Sequence, residues 1–271
     1  MIRQRAIRLL RQTHLLPLVE QARFQALRLR HAAENARVRR DNPGFAYPPL
    51  DIVYDAHGSV SLAGYRESGH YVAGFIHGLA AEFLDGGPDS IGEWGCGPGR
   101  IIRHMRDVSG KPGLRAVGSD YNPRSIAWAQ RSLAEAEFVL NGLRPPLPLE
   151  DDSLDCLYAT SVYTHLSEEL HFAWFLDNVR VVRPGGIILF TTHGDAFRPK
   201  LLPEEQARYD AGELVVRGSV KEGSRIFVAF HAPAFIRDRL IPGSGCELLR
   251  HAPSPDPKVM GGQDVWAVRV V

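Results

Sequence analysis

Glu93, Gly95, Gly97 and Gly99 stand two residues apart in the segment SIGEWGCGPGR, which Arg100 closes, and Asp120 follows twenty-one residues after Gly99. Glycines so spaced remove side chains where backbone must pass close to a ligand, and they reach φ values that other residues resist. A loop of this kind, following a strand and opening a helix, can meet an anion with free N–H groups. A carboxylate about 20 residues on, at the end of the next strand, can accept hydrogen bonds from both hydroxyls of a ribose. A nucleoside-bearing cofactor suits such a set. A glycine-lined turn that binds nothing is the other reading the loop alone leaves open.

Histidines supply the second candidate chemistry, because a neutral imidazole with a pKa of about 6.5 can take a proton from a hydroxyl. Four of the eleven merit weighing: His104 in the helix after the loop, His231 ending a later strand, His165 after the fourth strand and His193 after the fifth. The last two lie on the carboxyl edge of the expected sheet. TTHG leads straight from His193 into an insertion, so His193 ranks first as a base and His165 second.

The elements that must position these groups alternate. Strands are expected at 89–95, 114–119, 136–140, 154–159 and 186–192, with helices near 68–84, 99–108, 123–134 and 167–181. Strands alternating with helices call for a parallel sheet covered on both faces. Asn122-Pro123 reads as a helix cap with proline at the first helical position. After residue 195 come a polar stretch (196–212), a strand pair (213–217, 225–230), a short helix (234–240) and two last strands (246–250, 264–270). The division expected is a basic helical extension and connector over 1–67 and a main domain over 68–271, with 195–245 as an insertion on its acceptor side. Phe197, Tyr209, Phe227 and Phe230 in that insertion could flank a sugar ring or close a small cap core.

Residues 1–40 hold ten arginines against Glu20 and Glu34, leaving the rest of the chain about seven charges acidic although the whole carries only +1. Apolar spacing there reads as two basic amphipathic helices, one on Ile2, Ala6, Leu9 and Leu10 and one including Phe24, Leu27 and Val38, with Pro17 breaking or kinking the stretch. An arginine face packed on the main domain is one reading, and peripheral contact with an anionic membrane is the other. An organellar transit peptide fits less well, given Pro17 and the lack of serine. The near-zero net charge argues against a nucleic-acid partner. Cys96, Cys156 and Cys246 form no metal spacing, so no metal is expected, and a reducing, cytoplasmic setting suits them.

A dinucleotide fingerprint wants glycine or alanine where Arg100 stands, five residues after Gly95. Glu93-x-Gly95-x-Gly97-x-Gly99 instead resembles the acidic glycine motif of class I, Rossmann-like S-adenosylmethionine-dependent methyltransferases. FVLNGLRPPLPLEDDSLDCLYATSVYTHLSEEL (138–170) and VVRPGGIILFTTHG (181–194) are similar to that family's third-to-fourth and fifth strand segments. The resemblance covers roughly residues 70–271. It implies a seven-stranded, mostly parallel sheet with helices on both faces, GQDVWAVRV supplying an antiparallel seventh strand, and a small cap after the fifth strand. It also implies S-adenosyl-L-methionine as cofactor. Glu93, Gly95, Cys96, Gly97 and Gly99 would hold the methionine portion and Asp120 the ribose. Asn141, Gly142 and Leu143 would sit at the adenine edge, with Tyr121 beside it and Ser161 at the end of the fourth strand. Asn141 departs from the acid common there. SVYTHL, TTHG, FHAP and GQDVWAV further resemble methyltransferases encoded with glycosyltransferases, which implies O-methylation of a sugar or glycoconjugate. A phenol, a lipid-like hydroxyl or an amine are the other acceptors, and a non-catalytic binding protein keeping the fold is the alternative to an enzyme.

Overall fold

The structure is a computed structural model that describes residues 16–258 and 261–271. Five parallel strands form its centre: β1 (Ser90–Trp94), β2 (Arg115–Asp120), β3 (Glu137–Leu140), β4 (Leu154–Ala159) and β5 (Val182–Thr192). The sheet order is β3-β2-β1-β4-β5-β9-β8, where β9 (Asp264–Val270) runs antiparallel between β5 and β8 (Cys246–Ala252). This is the mostly parallel, seven-stranded Rossmann-like sheet that the resemblance implies. The order reverses between β1 and β4, and a crevice opens beyond the carboxyl ends of strands at such a reversal.

Both faces of the sheet are covered, so the central strands are buried almost end to end. On one face Val72, Ile76 and Leu79 of the long helix Leu62–Phe83 join a core with Ile91, Tyr158 and Leu189. On the other, Trp174 and Phe175 of the helix Glu168–Val181 pack with Trp94, Tyr163 and Trp266. Asn122 caps the helix Pro123–Ser132 as expected, its side-chain oxygen accepting from the N–H groups of Arg124 and Ser125.

Three local expectations change. The helix expected over 99–108 shrinks to a 3-10 turn at Ile102–His104 and a short helix at Met105–Ser109, which Gly110 ends at φ +64°. The helix expected from residue 68 begins at Leu62, capped by Ser61, so the boundary at 67/68 falls within it. The fifth strand, expected from residue 186, already begins at Val182, which pairs with Leu154, so the RPGG stretch belongs to β5.

The extension contributes α1 (Leu16–Arg30) and α2 (Ala32–Asp41), divided at His31, so the segment expected as one helix on Phe24, Leu27 and Val38 is two; the break expected at Pro17 concerns residues outside those described. The amphipathic segment expected on Ile2 to Leu10 lies outside the described residues. A third helix, α3 (Leu50–His57), leads back toward the sheet edge. In the insertion, β6 (Leu214–Arg217) and β7 (Val228–His231) pair antiparallel over a small core of Phe197, Leu201, Tyr209, Val215 and Phe230. Phe227 is buried as well. These four aromatic rings therefore close the cap rather than face a ligand, supplying together with Leu201 and Val215 the apolar volume that excludes water from so small a unit. No described helix is long and apolar enough to cross a membrane.

Asn35, buried on α2, donates to the Val60 carbonyl at 2.8 Å and accepts from the Leu62 N–H at 3.0 Å, binding the extension to the start of the long helix. Asn35→Ala leaves both backbone groups buried and unpaired, which costs about 2 kcal/mol. Calorimetry should show Tm lowered by roughly 4–8 °C.

Candidate active site

The glycine loop and Asp120 meet through a carboxylate bridge. Asp120 Oδ2 accepts from the Gly97 N–H at 2.8 Å and Oδ1 from the Asn122 N–H at 2.7 Å. Each oxygen keeps a further acceptor site, which is what a ribose diol needs. Burial raises the Asp120 pKa, while these N–H donors work against that rise. The glycines are sterically required: a Cβ on Gly95 (φ +79°) would come within 2.3 Å of Val162 Cγ2, and one on Gly99 (φ +76°) within 2.9 Å of Leu133 and Phe138.

Two adjoining cavities of about 350 and 360 Å³ run along the carboxyl edge on either side of the loop. Gly95, Gly97, Asp120, Thr160 and Ser161 line both. The first also takes in Tyr121, Asn141, Gly142, Leu143 and His165. Asn141 Nδ2 donates to the Gly142 carbonyl at 2.6 Å, and its Oδ1 is buried with no hydrogen-bond partner among the described residues. A bare buried acceptor there is the complement of an exocyclic amino group. Trp174 Nε1 donates to the Leu143 carbonyl at 3.0 Å and fixes that edge, and the Tyr121 hydroxyl donates to the Gly223 carbonyl at 3.0 Å. The second cavity takes in Glu93, Cys96, Arg100, His57 and Ser68.

Glu93 is committed mostly to the protein. Its Oε2 accepts from the Ile102 N–H and the Tyr158 O–H, both at 2.9 Å, and burial lifts its pKa to about 7. Arg100 donates to Ser68 Oγ at 3.1 Å and leaves the rest of its guanidinium toward the cavity it lines. Sequence reasoning used Arg100 only to argue against a dinucleotide. The geometry puts a cation in the cavity beside the glycine loop, a charge suited to a carboxylate. Set against S-adenosylmethionine, the residues fit at three points: the diol acceptor Asp120, the amino acceptor Asn141 and the cation Arg100.

Ser161 links the halves in the left-handed region, at φ +59°, a conformation rare for a residue with a Cβ. It is held there by a closed set of bonds: its N–H donates to Thr191 Oγ1 at 2.8 Å, Thr191 donates to Gln263 Oε1 at 2.7 Å, and Gln263 Nε2 donates to Ser161 Oγ at 2.8 Å. Gln263 was visible only as part of the GQDVWAV likeness, with nothing to say what it would hold.

The two ranked histidines separate. His165 lines the first cavity, and His193 lines neither. Each bonds a carbonyl through Nδ1, His165 to Phe227 at 2.6 Å and His193 to Ala229 at 3.0 Å. A carbonyl only accepts, so Nδ1 carries the proton in both and Nε2 the lone pair. The His193 ring stacks on Phe197 at 4.2 Å, and its carbonyl accepts from the His231 N–H at 2.9 Å. Behind them His231 is fully buried against His171, Nε2 to Nε2 at 2.8 Å. His104 is half-buried, stacked near Phe45. No group of three or more described His, Cys, Asp or Glu residues could hold a metal ion.

Residues 93–190 match the family described as a methyltransferase domain. Among curated proteins the chain is 33% identical over 124 residues to the tRNA N(3)-methylcytidine methyltransferase Mettl2 of Drosophila melanogaster, covering 43% of this chain and 38% of that one. It is 29% identical over 135 residues to the malonyl-[acyl-carrier protein] O-methyltransferase of Pseudescherichia vulneris, covering 48% of this chain and 49% of that one. The chain thus spans less than half the length of these relatives. Streptomyces venezuelae DesVI shares the fold at TM-score 0.56 and 14% identity, over 84% of this chain and 100% of that one.

Desolvation holds the imidazoles neutral, lowering His57, His104 and His171 to about 4 and His193 to about 3. The unfolded chain binds more protons than the native state between these values and about 6.5, so stability rises with pH across that window and is lost on acidification. Glu93 between about 4.5 and 7, with Asp55 and Asp120 also raised by burial, opposes this, but the lowered imidazoles outnumber these carboxyls. Differential scanning calorimetry should show Tm falling by roughly 5–10 °C from pH 7 to 4.5. A flat profile would mean these rings ionise freely in the folded state.

Proposed function

We propose, from the premise that residues 93–190 are a class I, Rossmann-like methyltransferase domain, that the protein transfers a methyl group from S-adenosylmethionine to a hydroxyl of a sugar or glycoconjugate. The observation that carries this reading is one cavity in which Asp120 and the bare Asn141 Oδ1 share the lining with the neutral imidazole of His165. When bound, the cofactor supplies a methyl group on a positively charged sulfur that is already a good leaving group.

The chain supplies position and a proton acceptor. Asp120 takes the ribose hydroxyls and Asn141 the adenine amino group, with Gly142, Leu143 and Tyr121 around the base. Arg100 takes the methionine carboxylate, while Glu93 shapes the loop from beneath by holding the Ile102 N–H. Alignment of donor and acceptor provides much of the rate, worth up to about 7–11 kcal/mol in favourable cases. A sugar hydroxyl must still lose its proton, and His165 is the neutral base at the cavity wall. Its Nδ1–H on the Phe227 carbonyl fixes the ring and stabilises the imidazolium formed when Nε2 takes the proton. His193, one step further into the cap, is the second candidate.

A hydroxyl on a sugar is favoured because the four short segments that carried the sugar-type resemblance converge. SVYTHL and GQDVWAV meet at Ser161–Gln263, and TTHG and FHAP meet at the His193–His231 backbone bond. They act as one module beside the cofactor cavity. We further propose a cytoplasmic setting, in keeping with three free cysteines. Peripheral contact with an anionic membrane is proposed for the extension, whose α1 exposes Leu18, Val19 and Leu29 beside Arg23 and Arg30.

Asp120→Ala should weaken S-adenosylmethionine binding by roughly 30–150-fold in calorimetry, the equivalent of about 2–3 kcal/mol. Unchanged affinity would remove Asp120 from the cofactor site. His165→Ala should lower turnover on the true acceptor by about 10²-fold or more with cofactor affinity preserved. His193→Ala should cost less, since its ring does not reach the cavity. The reverse order in release of S-adenosylhomocysteine would return the base to His193.

A further inference from the structure

A third and larger hollow, of about 830 Å³, opens between α1, α3 and the loop 221–226. Asp55, Ser224 and Arg225 line both this hollow and the first cofactor cavity. A molecule seated in the hollow therefore reaches the cofactor edge past these three residues. We infer that the hollow is an outer acceptor subsite, and that its occupant is a neutral, hydroxyl-rich glycan more than one ring long. The inference rests on the methyl-transfer reading above and adds to it the size and charge class of the acceptor.

Charge decides against the other large classes. Glu20, Asp51 and Asp55 face the hollow together with Arg28, Arg124 and Arg225, three carboxylates against three guanidinium groups. Such a wall attracts neither a polyanion such as RNA nor a polycation. A hydroxyl both donates and accepts, so a neutral polyol can use both signs at once. Size decides against a single ring, since pockets of about 300–1,000 Å³ enclose drug-sized ligands and this one lies near the top of that range. Phe24 and Leu50 add the apolar surface that the C–H faces of sugar rings need.

Most of the charged wall is already ordered. Glu20 accepts from the Tyr54 O–H at 2.7 Å and pairs with Arg225, whose guanidinium lies 4.5 Å over the Tyr54 ring. Asp51 holds Arg124 at 2.6 Å, and Phe24 packs on Tyr54 at 5.3 Å between centroids. These contacts bind α1 to the domain and lower the ordering cost of a ligand. Asp55, exposed at the inner end, makes no hydrogen bond or ion pair among the described residues and is free to accept one from the ring to be methylated.

The test uses full-length protein and ligand-observed NMR with neutral oligosaccharides of two to six rings. Methyl glycosides of single sugars, a single-stranded RNA and phosphatidylglycerol vesicles serve as the competing classes. Expected are saturable binding of at least one oligosaccharide, much weaker binding of its single ring, and a tenfold or greater loss in Phe24→Ala. The exposed-site variant Asp55→Asn guards against a folding defect and should show a comparable loss. Calorimetric affinity for S-adenosylmethionine should stay within about twofold in Phe24→Ala, whose side chain lines the outer hollow and neither cofactor cavity. Failure of every oligosaccharide, losses in neither variant, or RNA or vesicles binding through these residues instead would overturn the subsite. Glycan titrations run without cofactor keep the two readings apart: glycan binding without S-adenosylmethionine binding would sink methyl transfer and leave the subsite standing.

Discussion

The carboxylate of Asp120 is the joint on which the site turns. It ends β2, holds the glycine loop by the Gly97 N–H and orders the next turn by the Asn122 N–H. Asn122 in turn caps the following helix, so one side chain sets the mutual position of loop, strand end and helix. Burying an anion is costly unless charge or hydrogen bonds compensate. Here two backbone donors offset part of that cost, and the hydroxyls of a ribose would supply the remainder. The glycine conformations follow from the same closeness, since the loop lies so near Val162 on one side and Leu133 and Phe138 on the other that Cβ atoms at 95 and 99 would overlap them.

Around this joint the polar groups divide between those the protein has satisfied and those it has left open. Glu93 gives its Oε2 to Ile102 and Tyr158 and acts within the protein. Asn141 Oδ1 and much of Arg100 remain uncommitted, and both face cavities. A buried acceptor without a partner costs stability, so its place beside Asp120 is a sign of the ligand rather than of the fold. Ser161 follows the same logic, its backbone conformation being maintained by Thr191 and Gln263 at the seam between the two halves.

Histidine chemistry is settled by the cap more than by the sheet. β7 and Phe227 just before it present carbonyls to His193 and His165, selecting the same tautomer in both. Depth in the cap then distinguishes them. His165 stands at the wall of the cavity, while Phe197 and Phe230 surround the ring of His193. On the opposite side, α1 and the loop 221–226 join through Glu20 and Arg225, making the extension a wall of the cleft rather than an appendage.

The sheet and the cofactor edge were legible in the chain because their signals are local, whereas the strand order came from the tertiary structure. Strand–helix alternation, the EWGCGPG loop, the spacing to Asp120 and the Asn122 cap each lie within a few tens of residues, and the physics of a parallel sheet brings them to one edge. Where local signals compete with packing, tertiary structure decided. The helix after the loop was cut short by a 3-10 turn that Glu93 holds by its first N–H, and the aromatic residues of the insertion were drawn into a core of their own. That His165 lines the cofactor cavity while His193 does not, and that Asp55 and Glu20 stand at the cleft, left no mark in the sequence. Glu20 and Arg225 lie 205 residues apart, and no periodicity or spacing encodes a contact that exists only when the sheet edge holds both elements in place.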